Sequence, residues 1–259
     1  MNDTLSPRDT TIAVIGAGRL GVVLATALRA ADFVVIGPLR RDDRLPDADV
    51  SVLCVPDAAI PAVAFAVRPH STLIGHVSGA TPLTDVDFSI HPLQTFTGDE
   101  TPDVFRGIGA AIDGRSADAL AVAEALARAL GARPFRVDDE HRAGYHASAS
   151  FASNFVLTVL DAAERLGATA GLERAHLAPL VRRTVDNWAA SGTAAVLTGP
   201  IARGDHDTVA RQRAASGDLQ PLFDALAAAT RDIASRGAAS RGAGERSVGA
   251  TDTTGKDDA

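Results

Sequence analysis

A short apolar run followed directly by a glycine-rich segment, near the N-terminus, limits the folds that are open to this chain. Residues 11–15 read Thr-Ile-Ala-Val-Ile, which is typical of a strand buried on both faces of a sheet. Residues 16–21 read Gly-Ala-Gly-Arg-Leu-Gly and lead into a helix rich in Ala and Leu that extends to about residue 31. A strand, a glycine-rich turn and a helix in this order predict the first unit of an α/β fold, with a turn suited to the pyrophosphate of a dinucleotide.

Each glycine of this turn has its own predicted role. Gly16 permits the tight turn, Gly18 lets the backbone approach the pyrophosphate, and Gly21 allows the helix to pack closely on the strand. Arg19 and Leu20 lie between them, where the N-terminus of the helix attracts phosphate charge. We therefore predict a cofactor site at these five residues. The alternative is a tight strand-to-helix turn that binds nothing.

The residues that follow the second predicted strand, at 33–36, indicate which dinucleotide is bound. An NAD-binding chain usually carries Asp or Glu there for the ribose hydroxyls, whereas this chain has Ile-Gly, followed shortly by Arg40 and Arg41. The missing carboxylate and the two cations favour the 2′-phosphate of NADP, with NAD as the alternative cofactor. In another interpretation, both arginines are solvated and only offset the two aspartates that follow them.

Strand and helix patterns alternate through the first half of the chain and then give way to helices. Further strands are predicted at residues 50–55, 72–76, 88–90, 108–112 and 135–137, with helices at 58–67 and 117–130. The connection before residue 50 is short and contains two prolines, so its crossover helix is short or absent. Beyond residue 139 the predicted elements are all helices, at 141–167, 173–190, 208–215 and 219–235.

These patterns predict an α/β fold in which a Rossmann-like, mostly parallel sheet is followed by an all-helical domain. The dinucleotide-binding domain is expected at residues 1–138, and the helical domain for substrate binding and dimerisation at 139–235. Residues 236–259 are rich in Gly, Ser, Thr and charge and carry almost no large apolar side chain. We predict that this last segment is a disordered tail.

Composition and charge argue against several classes of function. The net charge is −7 and no stripe of Lys and Arg occurs, which disfavours nucleic acid or an anionic membrane as partner. A basic start followed by an apolar stretch is absent, and no apolar run approaches the roughly 20 residues that span a bilayer. We therefore expect a cytoplasmic protein. The single cysteine, Cys54, lies in an apolar run and is expected to be a small buried residue, and no metal site is predicted.

Polar residues follow three of the predicted strands. Because ligands of parallel sheets bind outside the carboxyl ends of the strands, these residues are candidates for a site. Val55, Pro56 and Ser78 are predicted to contact the cofactor, and His91 and Gln94 to contact the substrate. The alternative for each is ordinary turn chemistry, since such residues also suit strand ends. The three segments are Val-Pro-Asp at 55–57, His-Val-Ser-Gly at 76–79 and His-Pro-Leu-Gln-Thr-Phe at 91–96.

Two further candidates come from the helical part of the chain. His146, Ser150 and Asn154 are spaced i, i+4 and i+8, so on one helix they form a polar stripe that suits a cleft. The alternative is a hydrogen-bonded contact between helices. Arg203 is the only cation of residues 197–205 and is predicted to hold a substrate carboxylate by bidentate pairing, unless it pairs internally with Asp205.

Taken in order, these motifs resemble those of the Rossmann-like proteins whose C-terminal domain is the domain of unknown function numbered 2520. That group is similar in architecture to the 6-phosphogluconate, 3-hydroxyisobutyrate, prephenate, ketopantoate and pyrroline-5-carboxylate oxidoreductases. The resemblance implies an NAD(P)-dependent oxidoreductase whose helical domain helps to form a homodimer. The segments that carry it lie at residues 16–21, 55–57, 76–80, 91–96, 145–149, 152–154 and 197–205.

One position departs from the pattern that the resemblance implies. A lysine is expected about three residues before the Tyr-His pair at 145–146, where this chain has Arg142. An arginine stays charged and is a poor proton shuttle, although it is a good partner for a carboxylate. Related dehydrogenases use a Lys or His with an Asn on the equivalent helix, so the resemblance ranks His146 and Asn154 as the catalytic pair.

The leading hypothesis is reversible hydride transfer between NADP(H) and a small carboxylate, with a 2-oxo acid such as ketopantoate as the first substrate class. His146 would act as general acid or base and Asn154 would orient the reacting oxygen. Ser78, His91 or Arg203 would anchor the carboxylate. A prephenate-like cyclic acid is the second substrate class. The rival from another class of function is a non-catalytic NADP(H)-binding sensor or scaffold.

Overall fold

The computed structural model describes residues 6–248, and the side chains of residues 6–239. Two compact units divide the chain between residues 156 and 157. The first unit holds a seven-stranded sheet, three α-helices that lie between strands in the sequence, and a fourth that follows the last strand. The second unit is helical. The fold class predicted from the sequence is confirmed.

The sheet has the strand order β2-β1-β3-β4-β5-β6-β7. Neighbouring strands are parallel except for β5 and β6, which run antiparallel. Every carboxyl end of the first five strands therefore lies at the same edge. The strands are β1 (Thr11–Ile15), β2 (Val34–Leu39), β3 (Ala48–Leu53), β4 (Ser71–His76), β5 (Phe88–Pro92), β6 (Gly109–Gly114) and β7 (Arg133–Arg136).

Both faces of this sheet are covered, which explains the apolar strand sequences. Along β1, Ile12 and Val14 belong to one hydrophobic cluster, while Ala13 and Ile15 belong to the cluster on the opposite face. Side chains of a strand alternate between faces, so a strand covered twice must be apolar throughout. The helices of the first unit are α1 (Arg19–Ala30), α2 (Ile60–Val67), α3 (Ala117–Ala129) and α4 (Arg142–Ala152).

Strand β2 ends three residues later than predicted, at Leu39 and not at Ile36. Gly37 has φ +105, a conformation that favours glycine, and a β-carbon there would lie 2.5 Å from the Val14 carbonyl oxygen. Arg29 of α1 donates to the carbonyl oxygens of Val35 and Gly37. The strand continues past this irregularity to Leu39. Between β2 and β3 there is no helix, as predicted.

The single helix predicted at residues 141–167 is wrong, because the structure breaks it at Ser153. Helix α4 ends at Ala152 and α5 begins at Asn154, while Ser153 has φ −129 and ψ −75. Its hydroxyl group donates to the Ala149 carbonyl at 2.7 Å and lies 2.8 Å from Asn154 Oδ1. Such local hydrogen bonds compete with those of a continuous helix.

The second unit contains the rest of α5 and five further helices among the described residues. Helix α10 continues to Val248, whereas the sequence predicted a disordered tail from residue 236. The remaining predicted tail, 249–259, lies outside the described residues. Within the described part of the chain, no helix is long and apolar enough to cross a membrane. The helices are α5 (Asn154–Ala168), α6 (Arg174–Ser191), α7 (Thr193–Val196), α8 (Pro200–Arg203), α9 (His206–Ala215) and α10 (Gln220–Val248).

Candidate functional site

The glycine turn between β1 and α1 has the geometry that its sequence predicts. Gly16 has φ +115, and a β-carbon there would collide with the carbonyl of Cys54, the residue after β3. A β-carbon at Gly21 would collide with the Gly16 carbonyl, so this glycine permits the close approach of helix to strand. Gly18 differs from both, because no described heavy atom lies within 4 Å of the position of its β-carbon. Gly16 and Gly21 are needed by the fold, whereas Gly18 borders open space.

The N-terminus of α1 next to this space suits an anion. Gly18 is the residue before the helix, and among the described residues no side chain caps this end. Uncapped backbone amides and the helix dipole together attract negative charge. Arg19, the first helical residue, is exposed and adds a cation, while Leu20 is half-buried against the core.

Arg40 and Arg41 directly follow the end of β2 beside this turn. The Gly16 amide donates to the Leu39 carbonyl at 2.8 Å, which joins the end of β2 to the start of the turn. Both arginines are exposed, and among the described residues neither forms an ion pair with Asp42 or Asp43. The Asp43 carboxylate instead accepts from the backbone amide of Arg40 at 2.7 Å. The two guanidinium groups therefore remain open to a ligand at this edge.

The residues after β3 also adjoin the glycine turn. The Cys54 amide donates to the Ile15 carbonyl at 2.7 Å, and the β-carbon position of Gly16 lies 3.2 Å from a methyl carbon of Val55. Pro56 is exposed beside it. Burial raises the pKa of the Cys54 thiol to about 12, so this residue is a protonated packing group and not a nucleophile.

Ser78 makes internal hydrogen bonds, in keeping with turn chemistry. It is 9% exposed, and its hydroxyl lies 2.9 Å from Asp57 Oδ2 and 3.0 Å from Thr81 Oγ1. The same oxygen accepts from the amides of Ala80 and Thr81. With these partners, the hydroxyl stabilises the loop after β4. Its predicted contact with a cofactor stays a prediction.

A cavity of about 320 Å³ brings together residues from the end of β5 and from α4. His91 and Gln94 come from the segment that begins in β5, while His146 and Ser150 come from α4, and Asn154 opens α5. The helix break does not separate the three residues of the predicted polar stripe, because all of them line this cavity. The other lining residues are Leu93, Thr95, Ala149, Ala152 and Ser153.

Two imidazole rings and a phenol form the polar group at this cavity. His91 Nδ1 lies 2.5 Å from the Tyr145 hydroxyl oxygen, and the two rings meet edge to face at 84°. The ring centroids of His91 and His146 are 6.1 Å apart. A β-carbon at Gly79 would lie 2.9 Å from atoms of both imidazoles, so this glycine lets the rings pack on the backbone.

The environment gives His91 and Tyr145 shifted pKa values. Burial, followed by the nearby His146 and Arg142, lowers the pKa of His91 to about 4. Burial also raises the pKa of Tyr145 to about 12. At neutral pH both groups are therefore uncharged. His146 is exposed and lines the same cavity.

Arg142, at the position where a lysine was expected, is used inside the protein. It is 3% exposed, and its Nε donates to Asp139 at 3.0 Å. Its Nη2 donates to the Ser89 hydroxyl at 3.2 Å and lies 3.7 Å from a carboxylate oxygen of the buried Asp113. These contacts join α4 to β5 and β6. Arg142 is not among the residues that line the cavity.

His76, the other histidine of the strand ends, is also internal. It is fully buried, its Nδ1 accepts from the Ser78 amide at 3.2 Å, and its Nε2 faces the Pro82 carbonyl at 3.4 Å. Burial lowers its pKa. Its two ring nitrogens therefore order the loop after β4.

Arg203 lies in the helical unit, at the end of α8. It lines a cavity of about 280 Å³ with residues of α7 and α10. Asp205 accepts from the Thr208 amide at 3.1 Å and caps α9, and among the described residues it forms no ion pair with Arg203 within 4.0 Å. The substrate-binding role of Arg203 stays a prediction.

Tyr145 belongs to one of the motifs of the family resemblance, but no role was predicted for it. The signal was present, because the only tyrosine of the chain directly precedes His146. Its partner His91 lies 54 residues earlier, so only the fold shows the contact.

Comparison with known proteins agrees with this fold. Residues 108–230 match the family model described as "Domain of unknown function (DUF2520)", which confirms the family resemblance over these residues. Among curated proteins, none matches the chain.

Several solved structures share the architecture over most of the chain. A "putative NADP oxidoreductase" from Bacteroides fragilis is 24% identical, with a TM-score of 0.75 over 88% of this chain and 100% of that chain. A protein from Thermotoga maritima is 22% identical, with a TM-score of 0.71 over 87% of this chain and 98% of that chain. The pyrroline carboxylate reductase of Plasmodium falciparum, with NADP bound, is 12% identical, with a TM-score of 0.56 over 88% of this chain and 100% of that chain. At these identities the likeness establishes the fold.

Proposed function

We propose that this protein is an NADP(H)-dependent oxidoreductase that transfers a hydride between the cofactor and a small carboxylate of the 2-oxo or 2-hydroxy acid class. The observation that carries the proposal is one loop that adjoins both halves of the site. Leu93, Gln94 and Thr95 line the cavity, and a β-carbon at Gly98, further along the same loop, would lie 3.6 Å from the α-carbon of Arg19 at the start of α1. The glycine turn and the cavity therefore share an edge of the sheet.

The residues around the turn fit a phosphorylated dinucleotide. The open space at Gly18 leaves room for a pyrophosphate, and the uncapped end of α1 supplies amides and a positive dipole. Arg40 and Arg41 would hold a 2′-phosphate. Val55 and Pro56 would contact the cofactor beside the glycine turn. The cofactor, when bound, supplies the hydride chemistry. Two of the structural neighbours, from B. fragilis and P. falciparum, are named for or contain NADP.

The cavity residues would orient the substrate and move its proton. His146 is the group we assign as general acid or base, because its exposed imidazole lines the cavity beside His91 and such a ring can both donate and accept a proton. Asn154 would orient the reacting oxygen, and Gln94 and Ser150 would donate to the carboxylate. The described lining of the cavity contains no Lys or Arg. Arg203, in the second unit, stays a predicted substrate-binding residue.

The test of this proposal is a screen of 2-oxo acids for oxidation of NADPH, followed by variants of His146. His146→Ala should lower kcat by a factor of about 10² to 10⁴ while the Kd for NADPH stays the same, because the residue lies away from the glycine turn. His146→Gln should keep the fold and also lose turnover.

Two outcomes would contradict the assignment. A His146→Ala protein with full kcat would remove His146 from the mechanism. Binding of NADPH without turnover of any acid would instead favour the sensor or scaffold.

We further propose that the helical unit forms a homodimer. Ala227 is the one hydrophobic residue that is buried among the described side chains of that unit. Large apolar side chains on α5 and α6 are exposed instead, including Leu157, Leu180 and Trp188 at 68%, 65% and 55%. Large apolar side chains left exposed on two helices of a folded chain indicate a candidate interaction site. A second copy of the same chain, by two-fold symmetry, would cover it.

A further inference from the structure

The contact between Tyr145 and His91 determines which nitrogen of the His91 ring faces a ligand. A neutral imidazole carries its proton on one nitrogen and offers a lone pair on the other. Nδ1 of His91 is taken by the Tyr145 hydroxyl at 2.5 Å, a distance typical of a short hydrogen bond. The state of this one bond therefore fixes the chemistry of Nε2.

Nε2 of His91 is the nitrogen that a ligand can reach. In the part of the chain that the structure describes, Nδ1 has one partner at hydrogen-bond distance, the Tyr145 hydroxyl, and Nε2 has none. Every buried side-chain nitrogen or oxygen atom in that part has a partner, so Nε2 is accessible to solvent. Because His91 is one of the residues that line the cavity, this accessible nitrogen is the candidate to meet a ligand there.

The direction of the Tyr145–His91 bond follows from the partners that are present. If Nδ1 carried the proton and donated it, the phenol proton would need a different acceptor, and among the described residues the hydroxyl has His91 alone. If the phenol donates, its proton is bonded to Nδ1, and the imidazole proton is on Nε2, which is accessible to solvent or to a ligand. The raised pKa of Tyr145 and the lowered pKa of His91 agree with a protonated phenol that donates to a neutral ring.

We propose that Tyr145 is a positioning residue that fixes His91 in the tautomer with its proton on Nε2, so that His91 donates a hydrogen bond to the substrate oxygen while His146 exchanges the proton. The inference rests on the proposed function for the identity of that oxygen. The proposal gives different roles to the imidazoles of His91 and His146, whose centroids are 6.1 Å apart. A donor aimed at an oxygen that gains negative charge stabilises the transition state of carbonyl reduction.

The neighbours of Tyr145 keep its hydroxyl in place. Phe135 of β7 packs edge to face on the Tyr145 ring, with centroids 5.8 Å apart and an interplanar angle of 69°. Gly79 lies under both imidazoles, where any side chain would displace them. The phenol is therefore held between an aromatic ring and the imidazole, a geometry that does not depend on a bound ligand.

The direct test is ¹⁵N NMR of the full-length protein labelled at histidine, without ligand, at pH 7. We expect an unprotonated Nδ1 and a protonated Nε2 for His91, assigned by comparison with His91→Gln. In Tyr145→Phe, which removes only the hydroxyl, we expect a mixture of the two tautomers. Phe135→Leu is the matched control, because it alters the packing of the Tyr145 ring and keeps the hydroxyl. Its His91 signals should remain those of the unaltered protein.

Kinetics then tests the consequence for the reaction, with any 2-oxo acid found in the screen. Tyr145→Phe should lower kcat by up to about tenfold, the effect of one hydrogen bond, at an unchanged Kd for NADPH. His91→Gln should retain more activity than His91→Asn, because the Gln amide nitrogen reaches the position of Nε2 and the Asn amide does not.

Three results would overturn the inference. They are a proton on Nδ1 of His91 in the unaltered protein, a doubly protonated ring at pH 7, and a Tyr145→Phe spectrum identical to that of the unaltered protein. The spectrum is recorded without cofactor or substrate, so its result is independent of the proposed function. A failure of NADPH to bind would contradict the proposed function and leave the tautomer as measured.

Discussion

Burial decides what the individual polar residues of this edge of the sheet can do. His91 and His146 have the same side chain and line the same cavity, yet His91 is half-buried with a lowered pKa and His146 is exposed. Arg142 and Ser78 bond inside the protein, and the arginines after β2 are exposed. The chemistry available to each residue follows from these surroundings and not from residue type alone.

The lowered pKa of His91 predicts a loss of stability in acid. In the unfolded chain His91 takes up a proton near its ordinary pKa of 6.5, whereas in the folded protein it does so only at about 4. Between these values the unfolded state binds more protons, so the free energy of unfolding falls as the pH falls through this range. The melting temperature should therefore decrease from pH 7 to pH 4.5, and less steeply in His91→Gln. Equal slopes for the two proteins would show that His91 titrates normally.

The sequence predicts most of the polar residues that line the cavity, but it does not predict the internal contacts of the buried polar residues. His91, Gln94, His146 and Asn154 were predicted and do line one cavity, because parallel strands end at a common edge and a helical stripe faces one side. The internal bonds of Arg142 were not predicted. Its partners Ser89 and Asp113 lie on strands distant in the sequence, and no local pattern records such a pairing.

At the scale of elements, the strands and the glycine turn were predicted well and the helix break was not. Buried parallel strands are continuous runs of β-branched and aliphatic residues. This pattern is local in the sequence and does not depend on long-range contacts. The break at Ser153 contains neither Gly nor Pro, and it depends on side-chain bonds to Ala149 and Asn154. Serine in a helix usually makes such bonds without ending it.

The Arg142 side chain connects α4 to the sheet, so replacing it should destabilise the protein. Among the described residues, Arg142→Met would leave the buried Asp113 with a single ion pair, to the exposed Arg136 at 3.5 Å. We expect the free energy of unfolding in urea to fall by about 3 kcal/mol, as for other broken buried pairs.

The matched control is Arg128→Met, which removes an exposed ion pair with Glu124 on α3. Exposed pairs contribute about 1 kcal/mol or less, so this variant should melt close to the unaltered protein. Similar losses in the two variants would mean that Arg142 does not anchor the helix.

At the scale of the whole molecule, the two units differ in how their apolar side chains are used. The sheet unit buries its apolar residues in two clusters, one on each face. The helical unit leaves Leu180 and Trp188 exposed. The division between the compact units, at residues 156 and 157, lies beyond the domain boundary of 138 that the sequence suggested, because α4 is part of the first unit. The end of the last strand is visible in the sequence, whereas the packing of the next helix is not.

The exposed apolar side chains predict that the protein sediments as a dimer at micromolar concentration. Replacing Leu180 by Asp should place a charge in the interface and shift the protein towards the monomer, as seen by analytical ultracentrifugation. Phe65→Asp is the control, since Phe65 on α2 of the sheet unit is 85% exposed and isolated. A monomeric unaltered protein, or a Leu180→Asp protein that remains dimeric, would contradict the proposed interface.

The central claim, that the turn and the arginines of this fold bind NADP(H), is tested most directly by fluorescence titration of the protein with NADPH and NADH. NADPH should bind at least about tenfold more tightly, a difference of about 1.4 kcal/mol. The double variant Arg40→Ala, Arg41→Ala should lose this preference. Gly18→Val should abolish binding of both cofactors with an unchanged circular dichroism spectrum, because the new side chain occupies open space. Equal affinities of the unaltered protein for NADPH and NADH, or binding of neither, would contradict the account.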